Sequence, residues 1–495
     1  MKTHSRYRRT RPQRGHSLYK SSLPTRRDVL LLGATGVGLL LVYAVRLDVG
    51  FGLHAGLVSW VEWLSRSLLL GLLLVGLAAY LWVQKPALFE RDLEKRFFVG
   101  LVLVDAVLTQ LLGALSPYLT PVALSVGLVV MFFDAEVGLV LALFQAGLVG
   151  FSAPSPVAAV VLLAGAAVVL LRARRLERSR ELILIGLETG LVHIVVLVAF
   201  NLFEGWGSGV WRWQQLAAAG LNGPINALLL IGLIPLVEYV LQRTSPLGLI
   251  ELLNTSHPLL ERLAGAPGTY QHSLSVARLA SAAARAIGAD ALRTQVGALY
   301  HDIGKAAPGV RSTYFAENQR DGYNPHDDLP PNISRIILVN HVKAGLEMGQ
   351  AGGLKQDVLQ FIAEHHGTTV IRFFYIKALK DPEHNASLSL DDYRYEGPRP
   401  QSKETAILMI CDAMESASRS LSSFEQVDDV LSKIVRERLE DGQFDRCPLT
   451  MDDLTRVKAS IQQTLRSMMH TRPRYPDASA MKKPVARPGA RTTEA

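Results

Sequence analysis

The sequence predicts an all-α chain in two parts: a polytopic helical membrane domain of about eight spans, followed by an all-helical soluble domain. Three observations predict it. The 495 residues are 49% hydrophobic and only 19% charged, with a mean hydropathy of +0.20. A soluble domain carries about a quarter charged residues, so a single soluble globule is excluded. The long apolar runs lie almost wholly within residues 1–250, whereas 251–470 has the composition of an ordinary soluble protein. In that second half the apolar positions recur at spacings of three and four, the stripe of an amphipathic helix.

Crossing ~30 Å of hydrocarbon takes about 20 apolar residues, fewer where polar ends snorkel. Eight runs meet this: 29–46, 67–84, 97–115, 118–133, 136–151, 156–171, 182–203 and 215–241. Segment 48–65, with Trp60 and Trp63, is too polar to span and is expected to lie at the interface. Arg46 and Asp48 follow the first run in place of a small-residue cleavage site, so it reads as an anchor rather than a cleavable signal. Thr25-Arg26-Arg27-Asp28-Val29-Leu30 faintly resembles a twin-arginine signal, and either reading keeps the N-terminus inside.

The net charge of +8 has a local origin. Residues 1–27 hold nine Lys and Arg and no acid, which accounts for the whole excess. A basic tail before an apolar run holds the N-terminus in the cytoplasm beside anionic lipid, and no nucleic-acid polymer is expected as a partner. The expected divisions are a basic tail 1–28, a membrane domain 29–242, a cytoplasmic helical domain 243–470 and a disordered, Pro-rich tail 471–495.

Orientation follows from Lys and Arg in short loops. Loop 85–96 carries Lys85, Arg91, Lys95 and Arg96, and 172–181 carries five arginines; 47–66 has only Arg66 and 204–214 only Arg212. Eight spans then return the chain to the cytoplasm near residue 242. Asp105, Glu188, His193, Asn226 and Glu238 fall within spans and are read as polar links between helices rather than a transport path. Cys411 and Cys447 form no CxxC pair and are read as reduced thiols.

In the soluble half, Val276, Leu279, Ala283 and Ile287 mark one helix after His272; 291–303, 333–349, 355–366 and 403–421 read alike, while 306–330 and 381–402 read as loops. These helices carry His272, His301-Asp302, His341, His365-His366 and Asp412. Asp412 sits in AILMICDAME, where a bare carboxylate would be costly to bury unless ligated or paired. Imidazole with carboxylate suits a first-row ion such as Mn, Fe or Zn. Five imidazoles and two carboxylates would crowd one ion, so the set argues for two metals bridged by a carboxylate.

Several longer motifs share this region: APGTYQHS (266–273), YHDIGK (300–305), ENQ (317–319), NPHD (324–327), NHV (340–342), EHHGT (364–368) and YEGPRPQSKETAI (395–407). Together they resemble the 7TM-HD membrane phosphodiesterases of bacteria, the PgpH type. That resemblance implies hydrolysis of cyclic di-AMP to pApA, at the bacterial cell membrane, by a cytoplasmic HD domain holding two divalent transition-metal ions, Mn or Fe. It implies one metal on His272, His301, Asp302 and Asp412, a second on His341, His365 and His366 with Asp302 bridging, and Lys305, on the helical face of His301, neutralising a phosphate oxygen. Expected partners are a cyclic dinucleotide and the bilayer, with a homodimer left open. Family members usually carry a large extracellular domain between the first two spans, where this chain has about 20 residues, 47–66.

His257 and His326 are expected to serve helix entry and loop hydrogen bonding. Asn318, Gln319, Tyr375 and Arg394 are candidates for base or ribose contact as well as loop packing, and Tyr270 and Tyr300 for core. A cyclic di-GMP enzyme of the HD-GYP type would need a GYP motif after the tandem histidines, where HHGTTVIRFFY stands instead. The competing functions are a nucleotide-sensing receptor without turnover and an HD hydrolase of another nucleotide.

Overall fold

The computed structural model describes residues 25–468, apart from 49–53, 58, 86–91, 153–155, 174–175, 177, 204–209, 320–322, 381–387 and 422. The tail 471–495 and nearly all of the basic tail 1–28 lie outside the described residues. Eighteen α-helices make up almost all of the described chain, so the fold is all-α as expected. Its two strands, β1 (Val45–Asp48) and β2 (His54–Leu57), form a short antiparallel hairpin pairing Val45 with Leu57 and Asp48 with His54.

The membrane half comprises α1 (Arg26–Tyr43), α2 (Trp60–Gln84), α3 (Asp92–Leu115), α4 (Val122–Phe132), α5 (Ala135–Ser152), α6 (Val157–Arg172), α7 (Arg180–Phe203) and α8 (Val210–Leu241). By length and composition four stretches can cross a membrane: 60–84, 92–115, 180–203 and 213–241. Three shorter apolar helices, within 117–132, 135–151 and 157–172, fill three of the other four predicted runs, and α1 covers most of the first, 29–46. One reading changes: Trp60 and Trp63 stand in the first turn of α2, not in a separate interfacial segment, because Ser59 caps the helix by accepting from Glu62 N.

Two apolar clusters hold these helices, one among α1, α2, α3 and α5 and the other among α4, α6, α7 and α8. α7 and α8 cross with their backbones in contact: a Cβ on Gly223 would meet Gly186 O at 2.2 Å. Only glycine permits that approach. The polar groups link helices: Asp105 accepts from Ser125 and Gln145, His193 Nδ1 donates to Ala219 O, and Glu188 pairs with Arg172.

Between the halves the chain is tied on every side. Arg243 donates to Phe132 O and pairs with Glu94, while Thr244 donates through both N and Oγ1 to Asp357. Ser245 donates to Glu238 and caps α9 (Pro246–Leu252), whose N1 is the proline that position tolerates best.

The second half packs α10 (Pro258–Ala264), α12 (Ala291–Tyr300), α16 (Lys403–Ser418) and α18 (Met451–Met468) around α11 (Pro267–Ala286). Val276, Leu279, Ala283, Val296, Ile407, Ile410 and Ile461 are fully buried there, the apolar stripes seen in the sequence. The same core takes Met348 of α13 (Pro331–Ala351), Phe361 and Ile362 of α14 (Gln356–Glu364) and Leu431 of α17 (Gln426–Glu440), while α15 (Arg372–Leu379) packs in a small separate cluster with Tyr393.

Candidate metal centre

Five helices deliver the seven residues singled out in the sequence to one buried point. His272 projects from α11, and His301-Asp302 from the end of α12. His341 comes from α13, His365-His366 from the end of α14, and Asp412 from α16. The donor atoms of His341, His365 and His366 lie within 4.8 Å of one another, as do those of His272, His301 and Asp412, and those of His301, Asp302 and His365.

Asp302 stands between two sets of imidazoles. Its Oδ2 is 3.2 Å from His301 Nε2 and 3.7 Å from His272 Nε2. Its Oδ1 is 3.4 Å from His341 Nε2 and 3.7 Å from His365 Nε2. Asp412 Oδ1 lies 3.0 Å from His272 Nε2, and its Oδ2 lies 3.8 Å from His366 Nδ1.

The Nε2 atoms point inward because the opposite ring nitrogens are anchored. His301 Nδ1 donates to Ala298 O (2.7 Å), His341 Nδ1 to Leu338 O (2.5 Å) and His365 Nδ1 to Ile362 O (2.9 Å), each three residues back along its helix. His272 Nδ1 donates to Glu415 Oε2 at 2.5 Å. Carbonyls only accept, so these bonds fix the proton on Nδ1 of His301, His341 and His365 and leave their Nε2 as a lone pair for a ligand, while His272 stands between two carboxylates, Nδ1 donating to Glu415 and Nε2 facing Asp412 Oδ1 at 3.0 Å.

Electrostatics follow burial and neighbours. Burial pushes His341 down to about 4 and His365 down to about 3, and takes His366 well below the usual imidazole range, keeping all three neutral. Burial opposes charge on His272 too, but the Asp412 and Glu415 hydrogen bonds outweigh it and raise His272 to about 10. For Asp302, burial is overcome by His301 and Lys305, which hold the carboxyl well below the ordinary range. Lys305 Nζ lies 2.7 Å from Asp302 Oδ2 and 2.9 Å from Glu317 Oε1. Those two carboxylates hold the ammonium charged against its burial.

The residues fit divalent transition metals. His301 Nε2 and Asp302 Oδ1 are buried without a hydrogen-bond partner, a state that costs a protein several kcal/mol by order of magnitude unless something ligates it. The donors are imidazole and carboxylate, which suit Mn, Fe or Zn.

One placement departs from expectation. Lys305 is not on the helical face of His301: α12 ends at Tyr300, and Ile303–Ala306 forms a 3-10 turn. A Cβ on Gly304 would meet His341 O at 1.8 Å, so the turn lies directly against α13 and brings Asp302 beside His341.

Glu415, Glu317 and Tyr395 were not read as site residues. Tyr395 stacks on His366 with ring centres 4.1 Å apart. Glu415 lies one turn after Asp412, on the same helical face, and that spacing is the signal that could have found it. Arg438 of α17 was missed as well, with Nε buried and without a partner; its main-chain O accepts from Gln443 N, and Gln443 Oε1 accepts from Thr368 N, two residues past His366.

Residues read as loop or helix-entry groups behave as such. His257 caps α10 by accepting from Leu259 N, and His326 Nε2 donates to Tyr314 O. Asn318 accepts from Gly268 N and Thr269 N, Gln319 donates to Asn324, and Tyr375 packs on Tyr393. Arg394 is committed to Asp391, Asp441 and Thr368 O.

The chain matches two family models in order: the 7TM receptor with intracellular HD hydrolase over residues 60–245 and the HD domain over 269–417. It is 38% identical over 331 residues to the cyclic-di-AMP phosphodiesterase PgpH of Listeria monocytogenes, an alignment covering 66% of this chain and 45% of that protein. To PgpH of Bacillus subtilis it is 35% identical over 322 residues, covering 64% and 44%. The chain thus spans about half the length of the curated relatives it matches. The crystal structure of the L. monocytogenes PgpH HD domain in complex with cyclic di-AMP is 42% identical, with a TM-score of 0.41, covering 43% of this chain and 99% of that one. The chain belongs to the family of 7TM receptors with an intracellular HD hydrolase.

Proposed function

We propose that the chain is a membrane-bound, metal-dependent phosphodiesterase that opens cyclic di-AMP to pApA. The observation that carries this is Asp302, with one carboxylate oxygen toward each of two imidazole sets. The similar PgpH proteins bear the name cyclic-di-AMP phosphodiesterase, which supports the adenine preference.

On this reading His272, His301, Asp302 and Asp412 hold one divalent ion, and His341, His365 and His366 hold a second, with Asp302 shared; Mn or Fe is the expected metal. When bound, such a pair makes a water nucleophilic near neutral pH and neutralises charge on a phosphoryl group. The chain's own groups do the rest. The anchored Nδ1 atoms fix the rings before substrate arrives, so no reorientation is needed during reaction. Lys305, already bridging Asp302 and Glu317, keeps Asp302 ionised and turns its remaining N–H toward a phosphoryl oxygen. The burial of the cluster strengthens each of these interactions.

Residues 29–242 then form the membrane unit and 243–470 the catalytic unit, with the N-terminus and catalytic unit on the cytoplasmic side. The arginines of 172–181 and the basic tail support that orientation.

The test uses the purified full chain in detergent with Mn or Fe(II), beside the H301A/D302A variant, with cyclic di-AMP and cyclic di-GMP in parallel. Release of pApA by the wild type alone, with two metal ions per chain by elemental analysis, is expected. Tight binding without product would replace the enzyme with a nucleotide sensor.

A further inference from the structure

Three membrane helices enclose a slot at the end of the bundle that meets the second half. Leu31 and Leu32 of α1, Leu77 and Leu81 of α2, and Phe98 and Val102 of α3 line a cavity of about 80 Å³. Its walls fall within 28–35, 74–82 and 94–102. On α2 and α3 that is about 12 Å of helix, so the space is long and narrow. Asp28, Trp82, Glu94 and Lys95 gather at one end, and Thr35, Leu74 and Val102 close the other.

The polar groups of the lining are committed to partners. Lys95 Nζ lies 2.8 Å from Asp28 Oδ1 and 3.0 Å from Asp92 Oδ1. Glu94 pairs with Arg243 at 3.1 Å, and Thr35 Oγ1 donates to Leu31 O at 2.7 Å. A water needs about two to four polar partners, and a polar solute needs at least as many. These walls suit neither. In a bilayer the surrounding solvent is hydrocarbon, and an extended acyl chain fills a narrow apolar slot through many dispersion contacts.

The charged end selects what that chain carries. The Asp28–Lys95 pair joins the first turns of α1 and α3, so Arg27 and Arg96, their sequence neighbours, flank the same end. Both are exposed, and neither makes an ion pair among the described residues. A guanidinium matches the geometry of a phosphate.

We infer that this slot takes one acyl chain of an anionic phospholipid from the surrounding bilayer, with Arg27 and Arg96 holding its phosphate. The site goes beyond the phosphodiesterase reading and does not depend on it. Glu94 stands in the wall and its partner Arg243 precedes Thr244, so the bound chain rests against the junction to the second half.

The full chain, delipidated in detergent, is titrated with phosphatidylglycerol or phosphatidylcholine in mixed micelles while thermal unfolding is followed. Phosphatidylglycerol is expected to raise Tm saturably, as a ligand of the folded state does. Phosphatidylcholine should need about tenfold more, the worth of a charge-assisted hydrogen bond. Native mass spectrometry should find one phospholipid per chain. A78F places a ring in the slot from α2, and V99F does so from α3. Each should match or exceed the Tm of the lipid-free wild type and lose both the response and the bound lipid. R27Q/R96Q should respond to the two lipids alike. If a filled variant unfolds early, the wild-type titration decides: no saturable shift with either lipid overturns the inference. Filled variants that fold and bind lipid as the wild type does overturn it as well. An equal response of the wild type to both lipids removes the role of Arg27 and Arg96. None of these readouts is turnover, so failure of the phosphodiesterase reading would leave them unchanged.

Discussion

At the scale of single residues, the site is built by anchoring rings rather than by placing them. Three histidines use the carbonyl three residues back, a partner that any helix supplies, so their presentation is written into local geometry. His272 differs, because its anchor is a carboxylate 143 residues away. Replacing Glu415 with Gln keeps the shape and removes the charge that steadies the ring, and Arg419 also loses its partner. Metal affinity is expected to fall about 10- to 100-fold, as for other lost partners of a ligating histidine. Competition against a chelating dye measures it, and excess Mn should recover activity; unchanged affinity would show that Glu415 does not serve the metal. The seven candidate ligands were legible because His-Asp and His-His pairs on amphipathic helices stand out in a chain with 13 histidines. Glu415 and Tyr395 were not, since an ordinary Glu or Tyr acquires its meaning only when distant helices close around His272 and His366.

At the scale of elements, periodicity told helix from loop with good effect, and the misreadings are local. Caps decide where a helix starts: Ser59 extends α2 back over two tryptophans that look interfacial by composition alone. Side-chain spacing likewise fails where the backbone tightens, as in the 3-10 turn after Asp302, which removes Lys305 from the α-helical register. That turn depends on Gly304, whose hydrogen faces His341 O and Gly345 N. In G304A the added methyl would sit 1.8 Å from the carbonyl and 2.5 Å from the amide, so the turn must lift from α13. Overpacking of this kind costs about 1–3 kcal/mol. Here the displaced backbone also carries Asp302, so activity should fall further than stability. Thermal unfolding and turnover measured on the same preparation check this. A variant that unfolds earlier yet keeps full turnover would separate the turn from the site.

For the whole molecule, the path from membrane to metal is short and continuous. The last membrane helix, α8, ends at Leu241, and three residues later Thr244 clasps Asp357 with both its amide and its hydroxyl. Asp357 lies in the first turn of α14, whose nine residues rise about 13 Å and end at His365-His366. A displacement of α8 therefore has a rigid lever onto one of the two imidazole sets, while among the described residues no hydrogen bond joins Thr244 or Asp357 to α11 or α16, which carry His272 and Asp412. Asp357→Ala removes a half-buried acceptor from two donors, a loss of about 1 kcal/mol in local stability. On the proposed two-metal reading, the expected result in the full chain is unequal: the ion assigned to His341, His365 and His366 weakens, and the one assigned to His272, His301, Asp302 and Asp412 stays close to its original affinity. A metal titration that resolves two steps reads both at once. If the steps shift together, or neither moves, α14 is no lever and the membrane half must reach the centre by another route.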